Sequence, residues 1–157
     1  MCNRTMTLTG ALLTLALGGT ALAGTTFRLE IGSSIAGVPG VKTKDVVVMA
    51  RALACDDDRS VQMAGVAEGL VNGQRRSQTL ELVTMPTPGV FAVRRQWPDG
   101  VWAVNLTATC PGRKATAGAL VALDRKSALL RDKTKVLERA ASEREVASLL
   151  KDLAATE

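Results

Sequence analysis

The chain of 157 residues contains no histidine and no tyrosine, and Phe27, Phe91, Trp97 and Trp102 are its only aromatic side chains. Without histidine no Ser-His or Cys-His nucleophilic pair can be built, and most hydrolase designs go with it. Zinc wants four ligands, and three cysteines with no imidazole do not supply them. Binding of single-stranded nucleic acid needs aromatic platforms in a basic groove. Four aromatics, two of them at core-like positions, and a net charge of +5 without charge blocks do not provide one. Nucleic acid is therefore excluded as a partner, and no cofactor is indicated.

What is present begins with an export pattern. Arg4 precedes an apolar run from Leu8 to Leu22, which ends in Ala21-Leu22-Ala23 before Gly24. A short basic region, a hydrophobic stretch and a small-x-small site are the parts of a cleavable signal. The run, with Gly10, Gly18 and Gly19, is short of the roughly 20 apolar residues a membrane span needs. Cys2 lies ahead of it, where a lipoprotein would have its cysteine at the end. The expectation is a signal peptide over residues 1–23 and a secreted or periplasmic mature chain with no transmembrane span.

Removal of that segment leaves Cys55 and Cys110, which in an exported chain are expected to pair. The alternatives are a buried thiol pair or a metal site. A bridge would close a loop of roughly 55 residues, for which the chain-entropy model gives about 4 kcal/mol.

Residues 24–124 read as mainly β. Phe27, Leu29 and Ile31 alternate with charged residues, the period of a half-buried strand, and Gly32 to Gly40 reads as loop. Asp45 to Cys55 is apolar on both faces, which predicts a central strand with Val47, Met49, Leu53 and Cys55 on one side. Asp56-Asp57-Asp58 makes a polar turn. Val61 to Val71 runs to Asn72-Gly73, a strong hairpin signal, with Gln78 to Val83 returning. Met85-Pro86-Thr87-Pro88-Gly89 is a connection, since proline cannot donate to a ladder. Val90 to Trp97, Pro98-Asp99-Gly100 and Val101 to Cys110 read as a hairpin with Cys110 facing inward. Ala117 to Leu123 is the last short strand expected. About seven such strands with frequent turns predict an immunoglobulin-like β-sandwich.

The tail, 125–157, differs. It has no Gly, Pro or aromatic residue and is rich in helix formers. Ser142 and Glu145 have capping-box spacing ahead of a stripe formed by Val146, Leu149, Leu150 and Leu153, which predicts a helix from about Glu143 to Ala155. Leu129 to Glu138 is either helix or extended connection. The helix either packs on the sandwich or offers its stripe to another chain or a membrane surface.

Several groups merit a chemical reading. A two-carboxylate hydrolase needs only Asp and Glu but usually also sugar-stacking aromatics. Asp56-Asp57-Asp58 offers oxygens suited to Ca²⁺, though Arg59 follows directly. Met49, Met63 and Met85 are soft ligands suited to Cu(I). Arg75-Arg76 and Arg94-Arg95 are two basic pairs, a candidate interaction surface for an acidic partner, although neighbours on a strand face opposite ways. Asn105-Leu106-Thr107 is a glycosylation sequon.

The run Pro88-Gly89-Val90-Phe91-Ala92-Val93 followed by Trp97-Pro98-Asp99-Gly100-Val101-Trp102-Ala103-Val104-Asn105-Leu106 resembles a segment of small bacterial exported immunoglobulin-like or transthyretin-like sandwiches, including periplasmic copper-handling modules. The resemblance implies a sandwich plugged by Trp. Copper modules of that type use His or Met near the chain ends, and of these only Met occurs here. The function expected is a non-enzymatic exported binding or accessory module whose partner is another exported protein or a cell-envelope component. The alternatives are a methionine-based metal carrier and a small carboxylate hydrolase.

Overall fold

The computed structural model describes residues 26–33 and 45–156. The expected signal segment, residues 1–23, and most of the loop expected from Gly32 to Gly40 lie outside the described residues. Two antiparallel sheets enclose the core. Strands β1 (Arg28–Gly32), β2 (Val46–Leu53), β5 (Leu82–Thr84) and β6 (Val90–Arg94) form the four-stranded sheet, in the order β1-β2-β6-β5. Strands β3 (Gln62–Val71), β4 (Gln74–Thr79), β7 (Val101–Cys110), β8 (Ala115–Leu123) and β9 (Lys135–Leu137) form the five-stranded sheet, in the order β4-β3-β7-β8-β9. Helix α1 (Glu143–Ala154) follows.

The period-2 patterns place the core as expected on most strands. Leu29, Ala50, Ala52, Phe91 and Val93 meet Trp102, Val104, Leu106, Ala108 and Cys110 across the sandwich. β7 is buried on both faces because its other side, at Val101 and Ala103, packs with Leu120 and Ala122 against Val146, Leu149, Leu150 and Leu153 of α1. The helix stripe is thus covered by this chain's own sheet. The capping box forms, with the Ser142 hydroxyl accepting from Glu145 N–H and the Glu145 carboxylate accepting from Ser142 N–H. Asn72 and Gly73 take positive φ, 51° and 76°, in the two-residue turn joining β3 to β4.

Four expectations are corrected. There are nine strands rather than about seven. The strand expected from Gln78 to Val83 is two: β4 begins directly after the Asn-Gly turn, and the chain then leaves one sheet for the other. Leu80 makes the crossing, buried, with its N–H donating to Gly65 C=O at 2.9 Å, and Leu82 pairs with Val93. The all-polar run of β4 suits an edge exposed on both faces, whereas Leu80 and Leu82 are drawn to the core.

Third, Val90–Trp97 and Val101–Cys110 do not form a hairpin. β6 pairs with β2 and β5, while β7 pairs with β3 and β8, so residues 95–100 cross between sheets. Trp97 plugs that crossing, its ring 5.9 Å from that of Trp102, whose Nε1 donates to Pro98 C=O at 2.9 Å. Alternation fixes which side a residue faces, not which strand it pairs with.

Fourth, the inward side of β2 is Val48, Ala50 and Ala52, not Met49 and Leu53. An irregularity between Val46 and Val48 turns Val47 inward and Val46 outward. Cys55 nevertheless reaches the core because Ala54, at φ 64°, resets the phase beyond the strand. It is bonded to Cys110, with Cα atoms 5.7 Å apart.

The tail joins the five-stranded sheet. The segment Leu129–Glu138 is a connection rather than a helix: Leu129 bridges to Leu123, residues 131–133 form a turn, β9 pairs with β8, and Ala122 N–H donates to the Thr134 hydroxyl. Among the described residues no helix is long and apolar enough to cross a membrane.

Candidate functional site

α1 covers the outward face of the five-stranded sheet, and among the described residues no helix covers that of the four-stranded sheet. Two cross-strand rows run over this open face. Glu30, Arg51 and Val90 are in register, and so are Gly32, Met49, Ala92 and Val83. Met85, Ala92 and Val46 are buried here, with Met49, Val83 and Val90 packed around them. Gly32 projects no side chain, and among the described residues a Cβ there would meet no atom within 4 Å. The result is a groove of about 650 Å³ over β1, β2 and the start of β6, closed at one side by Met85, Pro86 and Thr87. This connection is fixed by Gly89, at φ 73°, whose C=O accepts from Ala52 N–H at 2.8 Å.

The rim is polar. Glu30 and Arg51 lie opposite each other on neighbouring strands. Arg131, brought from the tail, also lines the groove and donates to the Ser33 hydroxyl at 3.2 Å. The floor is apolar, with one carboxylate and two guanidinium groups around it. An apolar concavity of this size with a few convergent polar groups has the usual make-up of a small-molecule site.

Cys55 and Cys110 form the internal bridge. The two arginine pairs fall on different sheets. Arg75, on β4, is ion-paired with Glu68 at 2.6 Å and with Glu143 at the start of α1 at 3.5 Å. The hydrogen bonds it donates to the Glu68 carboxylate raise its pKa above the ordinary value. Arg76 is exposed beside it. Arg94 ends β6, exposed, and Arg95 is ion-paired with Asp99. Arg95 also lines a cleft of about 800 Å³ at the end of the sandwich, with Asn72, Gly73, Arg125 and Lys126.

The structure brings Met49 and Met85 together in the groove, whereas Met63 packs against the main core. Asp57 caps a 3-10 turn, accepting from Arg59 N–H at 3.0 Å, and Asp56 lies 3.5 Å from Arg113. Among the described residues no three or more His, Cys, Asp or Glu side chains gather as a metal site. Asn105 is half-buried in β7, its Oδ1 enclosed without a hydrogen-bond partner.

The groove residues Glu30, Gly32, Arg51, Val90 and Arg131 escape a reading of motifs. The one signal is Arg51, a lone charge two positions beyond Met49 in an otherwise apolar strand, which marks that face as reaching solvent. No family model, no curated protein and no solved structure matches this chain.

Proposed function

We propose that this chain is an exported, non-catalytic binding module of immunoglobulin-like fold that takes its ligand in the groove of the four-stranded sheet. The observation that carries the proposal is the groove itself, apolar, methionine-lined and on the sheet face that no helix among the described residues covers. Methionine adapts to irregular apolar partners through its flexible thioether. A two-carboxylate mechanism needs a pair, and among the described residues Glu30 is the one carboxylate lining the groove.

The fold assignment is supported by strand order. With β1 to β8 taken as A, B, C, C′, D, E, F and G, the sheets read A-B-E-D and C′-C-F-G, the immunoglobulin arrangement, with β9 added at the edge. The disulfide joins the end of B to F. Export is supported by the N-terminal sequence and by the disulfide, and intact mass tests it. The exported protein should begin at Gly24 with both thiols labelled only after reduction, and retention of residues 1–23 would count against it.

Binding is tested with 8-anilinonaphthalene-1-sulfonate, an apolar dye bearing one acid group. Its fluorescence should rise with the native protein and fall to background with Met49→Glu, which puts a charge on the floor. Equal fluorescence from a folded Met49→Glu protein would refute the groove as the binding surface.

One observation favours a second reading, a Cu(I) carrier: Met49 and Met85 share the groove. Competition against a chromophoric Cu(I) chelator should then show copper retained by the protein and lost in Met49→Leu/Met85→Leu. No retention by the native protein would eliminate it.

A further inference from the structure

Resting on the groove as binding surface, we infer that its ligand is a single-chain amphiphile carrying one negative charge, a free alkyl carboxylate in its simplest form. The apolar body lies over Met49, Val90 and Met85, and the acid group meets Arg51 and Arg131 at the rim.

Three observations converge on this class. The floor offers hydrogen-bonding groups only at its edge, so the part of the ligand over Met49, Ala92 and Val90 must be apolar. The rim carries two guanidinium groups against one carboxylate, Glu30, a surplus of one positive charge that a monoanion neutralises. Arg131 is held in place by its bond to Ser33, whereas Arg51 makes no ion pair among the described residues, leaving its fork open to an incoming acid. Guanidinium matches carboxylate geometry through paired N–H donors. The space, about 650 Å³, holds one small molecule. It is a concave groove, closed at one side by Met85, Pro86 and Thr87, rather than the broad flat face a membrane would need, so the ligand is a free molecule and not a lipid surface.

Gly32 provides the decisive variant. It sits in β1 without a positive φ, and a side chain added there meets no other described residue near its Cβ. Gly32→Phe therefore fills the groove while leaving the backbone undisturbed.

The experiment is calorimetric titration of the purified, disulfide-bonded protein with octanoate, decanoate and dodecanoate, with decanol and decyltrimethylammonium as neutral and cationic counterparts. Affinity for the carboxylates should rise about fourfold per added methylene until the groove is full. Decanol and the cation should bind at least tenfold more weakly than decanoate. Arg51→Gln should lose about tenfold for decanoate, the worth of a charged hydrogen bond, and leave decanol unchanged. Gly32→Phe should abolish binding of all of them while keeping the melting temperature.

Decanol binding as tightly as decanoate, with Arg51→Gln indifferent, would overturn the anionic class while leaving the groove as an apolar site. Failure of both ligands to bind would overturn the groove as well. Undiminished binding by Gly32→Phe would place the site elsewhere. Co-sedimentation with phosphatidylglycerol vesicles that free decanoate does not reduce would overturn the free-molecule assignment in favour of a lipid surface.

Discussion

Reduction of the Cys55–Cys110 bridge without changing any other atom should isolate what the cross-link contributes. The bridge ties the end of β2 in one sheet to the end of β7 in the other, at a sequence separation of 55 residues. Closing a loop of that size removes chain entropy from the unfolded state by about 14 cal/mol/K, or about 4 kcal/mol at 25 °C. Cys110 is fully buried, so Cys→Ala replacement would mix this contribution with the cost of a cavity. Comparing the oxidised and reduced forms of the unaltered protein avoids that mixture. Urea unfolding followed by tryptophan fluorescence reports directly, because Trp97 and Trp102 lie in the same core. The reduced form should unfold with about 4 kcal/mol less stability and with a steeper urea dependence, since its unfolded chain exposes more surface. A loss below about 1 kcal/mol would refute the chain-entropy account for this fold.

Other perturbations probe the remaining parts of the frame. Leu150→Ala, on the buried stripe of α1, should cost about 2–5 kcal/mol in urea unfolding and leave dye binding in the groove on the other sheet unchanged. Gly69 lies directly beneath the Trp102 ring, and Gly69→Ala should destabilise by about 1–3 kcal/mol through overpacking, measured by thermal melting. The Glu145 carboxylate is held below the usual carboxylate range by hydrogen bonds from Arg139 and Ser142. A lowered folded-state pKa adds stability above the unfolded value, near 4.3, and that stability is lost as pH falls through the folded-state value. The stability gap between the native protein and Glu145→Gln should accordingly narrow on acidification below about pH 4.3, and a constant gap down to pH 2 would count against this cause.

Local features were legible because they depend on neighbours in sequence. The Asn72-Gly73 turn, the Ser142–Glu145 cap and the helix stripe each involve residues within one turn or a few positions. The disulfide was legible from composition, and Cys55 faces the core as expected, although Met49 and Leu53 do not share that side because Ala54 resets the phase. What escaped was pairing. The segments around Pro98-Asp99-Gly100 look like a hairpin because a tight turn and a sheet-to-sheet crossing use the same residues. The strand order in fact places β6 and β7 in different sheets. The groove was illegible for the same reason, since Glu30, Arg51, Val90 and Arg131 come from four separated segments that only the register and the tail bring together. Of the tail, composition indicated its helicity, but only the apolar patch at Val101, Ala103, Leu120 and Ala122 decides where the stripe goes.

The sheet edges restrict how another molecule can attach. β5 and β9 are three residues each, and β4 is polar throughout, with Arg75 and Arg76 at its centre. β1, the remaining edge, has five residues and turns Arg28 and Glu30 outward. Short or charged edges resist the addition of a foreign strand, so the backbone-pairing mode by which many sandwiches capture extended peptides has little purchase on this chain. Recognition is left to side chains, which makes selectivity a matter of shape and charge in the groove and keeps neighbouring copies from zipping together at high concentration.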